Sequence, residues 1–208
     1  MKEVDYVIGV DEAGRGPLAG PVAVGVVLVA NDFDWELLPK VRDSKKLSPK
    51  NREAIFGRVE QLKQSGCLDY CVTLVPAKII DEIGIVPSIN QALQNSLYEI
   101  LSQNRQVKHN AVRVKLDGGL KAPIEFIFQE TIIKGDDKEL VIGLASIMAK
   151  VTRDKYMDEI AQNVDFLAYN FAKHKGYGTK AHRSAILENG LSVEHRTTFC
   201  QNCVQQKV

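Results

Sequence analysis

Four acidic residues could do chemistry together: Asp11 with its neighbour Glu12, then Asp117, then Asp136. Asp11 ends residues 4–10, which read as a buried strand. Asp117 ends a second such run at 111–116, and Asp136 follows Lys134 and Gly135 after a third. Each carboxylate thus sits where a strand gives way to a glycine-containing turn, the place where open α/β sheets bind ligands. Any one of them alone would more often be a turn former. Three in matching contexts point to a shared task. Carboxylates gathered out of water repel one another and resist ionisation. A divalent cation reverses that cost, and hard oxygen donors select Mg²⁺ or Mn²⁺ over zinc. Neighbouring side chains on a strand face opposite ways. Asp11 and Glu12 can therefore approach one centre only if the chain bends at Glu12, which Ala13 and Gly14 permit.

The elements that must hold these groups follow from periodicity. Residues 22–29 form a second strand rich in β-branched side chains, and 69–75 a third. Ser48 and Pro49 open a helix with the stripe Ile55, Phe56, Val59 and Leu62, ended near Gly66. Ser88 is expected to cap a helix carrying Ile89, Leu93, Leu97, Ile100 and Leu101. Short strands are expected at 125–128 and 131–133, a long helix from 140 to about 163, and a last helix near Thr179. The order predicts an α/β fold: a mixed central sheet flanked by helices, with a helical C-terminal section.

Lys and Arg number 27 against 26 acidic residues, so the net charge of +1 neither announces nor excludes a polyanionic partner. One domain is expected over residues 1–208, with about 179–208 packed on it. Residues 1–5 carry charge and no apolar signal region, and the longest apolar run, 21–30, is too short to span a bilayer; the expectation is a soluble, cytoplasmic protein. The pairs Cys67/Cys71 and Cys200/Cys203 have spacings that can hold zinc. Their surroundings fit small apolar residues better.

The segment Val10-Asp11-Glu12-Ala13-Gly14-Arg15-Gly16-Pro17-Leu18-Ala19-Gly20-Pro21 resembles the opening signature of the prokaryotic type 2 ribonuclease H family, ribonuclease HII. Asp43-Ser44-Lys45-Lys46-Leu47-Ser48, Asp117-Gly118, Lys134-Gly135-Asp136, residues 145–154, residues 174–179 and His195-Arg196 resemble its later blocks, in family order. The resemblance implies a ribonuclease H-like sheet and endonucleolytic hydrolysis of the RNA strand of RNA–DNA hybrids. It also implies cutting 5′ of ribonucleotides embedded in duplex DNA, leaving 5′-phosphate and 3′-hydroxyl ends. The metal-site carboxylates it implies are Asp11, Glu12, Asp117 and Asp136, with Asp137 beside the last. It implies that Gly14, Arg15 and Gly16, with Tyr177, read the ribose–deoxyribose junction, and that the protein is a monomer.

Such hydrolysis needs an activated water and a stabilised leaving oxygen, which two metal ions held by carboxylates can provide. Asp11 is expected to bridge both ions, with Glu12 and Asp117 completing one site and Asp136 the other. Glycine backbone can approach a 2′-hydroxyl closely. Phosphate contacts are expected from Ser44, Lys45 and Lys46, and from Ser146, Lys150 and Arg153 at i, i+4 and i+7 of one helix. Lys173, Lys175, Lys180 and Arg183, with His174 and His182, form a further basic track. Two other readings are a catalytically silent hybrid-binding protein and another ribonuclease H-like nuclease or strand transferase. The first predicts a missing acidic position; the second has no need of Gly14-Arg15-Gly16 with Tyr177.

Overall fold

The computed structural model describes residues 5–41 and 47–204. A five-stranded sheet forms the centre. Its strands are β1 (Tyr6–Ala13), β2 (Val22–Ala30), β3 (Leu68–Val75), β4 (Val112–Asp117) and β5 (Phe128–Ile132), in the order β3-β2-β1-β4-β5. β1, β2 and β3 pair antiparallel, whereas β1, β4 and β5 run parallel. The register sets Val10 beside Leu116, so Asp11 and Asp117 leave adjacent parallel strands at the same end.

Helices cover both faces. α3 (Ile85–Gln103) turns Ile89, Ala92, Leu93, Ser96, Leu97 and Ile100 toward the sheet, at the three- and four-residue steps of one helix face. There they pack with Ile8, Val10, Val24, Val26, Val112 and Val114. On the other face α5 (Leu140–Ile160) packs with α1 (Pro49–Gln64) around Val27, Val29, Ile142 and Met148. Two glycines let α5 lie against the strands. A Cβ on Gly9 would stand 2.2 Å from the Val141 carbonyl oxygen, and one on Gly25 would stand 2.5 Å from that of Ala145. This contact brings the middle of α5 to the end of β1.

Differences from the sequence expectations are local. β1 runs on through Glu12 to Ala13 rather than ending at Val10, and the chain turns only at Gly14. α2 (Ala77–Ile83) precedes α3, which starts after Gly84. Ser88 is therefore no cap; it is buried within the first turns and donates its hydroxyl to the Gly84 carbonyl. The two short strands expected at 125–133 are one edge strand, β5. Among the C-terminal elements are α4 (Gly135–Lys138), α6 (Phe171–His174), α7 (Lys180–Asn189) and α8 (Gln201–Val204). Cys71 packs beneath the sheet, while Cys200 and Cys203 pack with Leu18 and Ile186 in a separate cluster. Among the described residues no helix is long and apolar enough to cross a membrane.

Candidate active site

Asp11 is 5% exposed on the α5 side of the sheet, beside Ser146 of that helix, and accepts the Glu12 N–H at 2.7 Å. Burial, reinforced by repulsion from Glu12 and Asp117, pushes its carboxyl up to about 8 against the lowering by Ser146. Burial also raises Glu12, although Arg15 offsets part of this through a 3.1 Å ion pair. Asp117, at the end of β4, accepts the Gly135 N–H at 2.6 Å. The fold therefore gathers Asp11, Glu12 and Asp117 closely enough to repel. Asp136 follows Gly135 in α4 and lines a cavity with Asp137, Lys115 and Glu139. Among the described residues, no three His, Cys, Asp or Glu side chains converge tightly enough to hold an ion as they stand. The donor set nonetheless suits one. A buried carboxyl beside two further carboxylates lacks positive charge, and a hard divalent cation would supply it.

Gly135 lies between Asp117, which accepts its N–H, and Asp136, which follows it in the chain, although none of Asp11, Glu12 and Asp117 lines the Asp136 cavity. A Cβ on Gly135 would stand 2.6 Å from Ile142 Cδ1 and 3.3 Å from Asp117 Oδ1. Gly135→Ala is expected to displace Asp117 and weaken Mn²⁺ binding by about 10–100-fold, as loss of an orienting partner does. Calorimetric titration with Mn²⁺ would show it; an unchanged affinity would separate this contact from metal binding.

Directly after the acids comes the turn 14–21, and its backbone is held from below by two arginines. Arg153, fully buried on α5, donates to the carbonyls of Pro21 (2.8 Å), Lys175 (2.9 Å) and Ala19 (3.1 Å). Arg196, also fully buried, donates to those of Gly14 (2.7 Å), Arg15 (3.0 Å) and Gly20 (3.0 Å). Gly14 has φ +85°, and a Cβ on it would strike Arg153 Nε at 2.0 Å. With the carbonyls drawn inward, Arg15 and Gly16 stay exposed at the rim. A strand-end acid cluster joined to such a turn is what the family resemblance requires, and comparison with known proteins decides the matter. The family model described as Ribonuclease HII matches residues 8–202. The chain belongs to the ribonuclease HII family. It is 43% identical over 193 residues to a ribonuclease HII of Endomicrobium trichonymphae, covering 93% of this chain and 84% of that protein. It also resembles the crystal structure of ribonuclease H2 from Pyrococcus horikoshii OT3, with TM-score 0.63 and 26% identity over 95% of this chain and 96% of that one. The fold of a Bst-RNase HIII solved in complex with Mn²⁺ is similar too, with TM-score 0.69 and 16% identity over 95% of this chain and 65% of that one. Membership makes the protein an endonucleolytic hydrolase of a family that requires divalent metal.

The family's remaining expected contacts divide. Tyr177 is 43% exposed, with Lys150 Nζ and the Arg153 guanidinium each 5.7 Å from its ring, so the aromatic face stands beside the turn. Lys150 also pairs with Asp154 at 2.7 Å. Ser146 lies beside Asp11 and is partly exposed. Arg153 cannot contact phosphate: it is sealed from solvent and committed to three carbonyls, which corrects the sequence expectation. Ser44, Lys45 and Lys46 lie outside the described residues. The basic track is also broken up. His174 and His182 are buried, Lys175 pairs with Asp158, and Arg183 donates to the Gly178 carbonyl and Cys203 Sγ. Arg196 and its role had no sequence signal beyond a family block, since Arg ordinarily reads as surface.

Proposed function

We propose that this ribonuclease, which hydrolyses the RNA strand of RNA–DNA hybrids, also cuts on the 5′ side of single ribonucleotides embedded in duplex DNA. Asp11, Glu12, Asp117 and Asp136 would hold two Mg²⁺ or Mn²⁺ ions. When bound, such ions polarise the attacking water and neutralise charge on the leaving 3′ oxygen. The reading rests on one juxtaposition: Asp11 and Glu12, close to Asp117, run straight into the turn that starts at Gly14, where Arg196 ties back the carbonyls of Gly14 and Arg15 and Arg153 those of Ala19 and Pro21.

The residues divide the work. Gly16, with the exposed backbone of Arg15, would meet the minor-groove side of the sugar, where the 2′-hydroxyl marks ribose, while buried Gly14 lets the turn pack on Arg153. Tyr177 offers its ring to the adjacent sugar, and Lys150, with Ser44, Lys45 and Lys46, would meet phosphates. Ser146 steadies the Asp11 carboxylate. The protein would act as a cytoplasmic monomer.

A labelled DNA duplex with one ribonucleotide, incubated with Mg²⁺ or Mn²⁺, tests this. Cutting 5′ of the ribonucleotide, absent on all-DNA duplex, is the expected result. Binding of hybrid without cutting would leave a silent hybrid-binding protein, and cutting of all-DNA duplex would favour a ribonuclease H-like nuclease of broader range.

A further inference from the structure

The 3₁₀ turn Thr197–Phe199 begins just after Arg196, and its first N–H groups have no acceptor in their own segment's side chains. They are capped from elsewhere in the fold. Asp81 of α2 accepts the Thr197 N–H on Oδ2 at 2.6 Å; Oδ1 accepts the Thr198 N–H at 3.0 Å and the Thr198 hydroxyl at 2.5 Å. Burial alone would raise the Asp81 carboxyl, but the bonds from Thr198 and Thr197 outweigh it and hold it below its ordinary value.

What this carboxylate fixes lies one residue back. The Arg196 N–H is tied to the Leu18 carbonyl at 2.8 Å, and its guanidinium spans the carbonyls of Gly14, Arg15 and Gly20. A planar guanidinium can serve three carbonyls only if its backbone is anchored at the right place and angle. One side of that anchor is the turn itself, which Arg196 is there to shape. The other side is Asp81. We infer that Asp81 is a positioning residue for ribose recognition: by capping Thr197 and Thr198 it sets Arg196, and through Arg196 the carbonyls of the turn 14–20. The inference rests on the proposed reading of that turn. It involves none of the acidic group, and the Asp81 carboxylate acts through Thr197 and Thr198.

Asp81→Asn tests it. The amide nitrogen would face backbone N–H donors where an oxygen now accepts, so at least one cap bond is lost and one contact becomes repulsive. The expected result is a fall of about tenfold in kcat/KM on duplex with a single ribonucleotide, as small misplacement of a substrate-positioning group produces. Mn²⁺ affinity, read by calorimetry, should stay within about twofold, because Asp11, Glu12 and Asp117 are untouched. Thr198→Val should reproduce part of the loss and Thr198→Ser should restore it. Ile100→Val supplies the control. It loosens the core under α3, 15 residues or about 22 Å along that helix from its start, and should leave kcat/KM within about twofold. If Asp81→Asn fails to fold, the Thr198 pair alone decides. Wild-type cleavage with Asp81→Asn or Thr198→Val no worse than Ile100→Val would overturn this inference. A wild type that cuts no ribonucleotide-containing duplex would instead overturn the functional reading.

Discussion

Asp11→Asn should lower turnover by about 10³-fold or more, equivalent to about 4 kcal/mol of transition-state stabilisation, while leaving the metal-free protein at least as stable as the wild type. Both halves follow from one geometry. Asp11 is 5% exposed, and two carboxylates close by oppose its charge. Without a cation the folded state carries the repulsion and desolvation that the unfolded chain relieves in water. An amide of the same shape removes both, and the Ser146 hydroxyl can still bond to its oxygen. A gain on the order of 1 kcal/mol, or a melting temperature higher by about 2–4 °C, is expected in the presence of a chelator. Excess Mg²⁺ should reverse the order, since only the wild type gains from binding it. Single-turnover cleavage beside calorimetric melting checks the pair. A variant that is inactive and also less stable in chelator would show that Asp11 is chiefly structural.

Acidification should destabilise that same variant strongly. Three histidines are buried together behind the turn: His174 and His182 stack with ring centroids 4.3 Å apart, and His182 Nε2 lies 3.1 Å from His195 Nε2. Their other partners fix neutral rings. His174 Nε2 faces the Tyr169 carbonyl, His182 Nδ1 the Tyr177 carbonyl, and His195 Nδ1 accepts from the Ser192 N–H and meets its hydroxyl. Burial, with repulsion among the rings, pulls His182 and His195 down to about 4. A folded-state value below the unfolded one of about 6.5 means the unfolded chain binds the extra proton first. Stability is therefore intact above about pH 6.5 and lost as the pH falls toward 4. From pH 7 to 5 the loss is about 2 kcal/mol for each ring taken alone, and on the order of 3 kcal/mol for the coupled pair.

Asp11 opposes this in the wild type. Its raised carboxyl takes up a proton in the folded state over the same range, so it stabilises on acidification, and Glu12 and Glu194 pull the same way. Asp11→Asn removes the largest of these offsets. Melting at pH 7 and pH 5, both with chelator, should show a larger loss for the variant than for the wild type. A pH-independent midpoint in Asp11→Asn would refute the histidine account.

The acids and the sheet were readable from residues because both depend on local pattern. Runs of Val and Ile announce buried strands, and a strand has few ways to end at Asp-Gly. The arginines were not readable. Arg153 lies on a helix where i, i+4, i+7 spacing with Ser146 and Lys150 suggests one polar face, yet it is fully buried. What puts it inside is a set of carbonyls 22 to 134 residues away, which no local period encodes. Histidines 174 and 182 misled for the same reason: their lysine neighbours point outward while the rings turn in. Ser88 looked like a cap because Ser-Ile-Asn before an apolar stripe has that form, but the preceding Gly84, at φ +85°, had already ended α2 and started α3.

The span of those bonds has a consequence for synthesis. Gly14 and Arg15 emerge early, but the guanidinium that holds them stands 182 and 181 residues later in the chain. At about 5–20 residues per second a translating ribosome takes roughly 10–40 s to cover that distance. Through that interval β1 and β2 can pair as a hairpin, yet the Gly14 and Arg15 carbonyls lack the guanidinium that holds them. A nascent chain thus carries Asp11 and Glu12 long before Arg196 can shape the turn beside them.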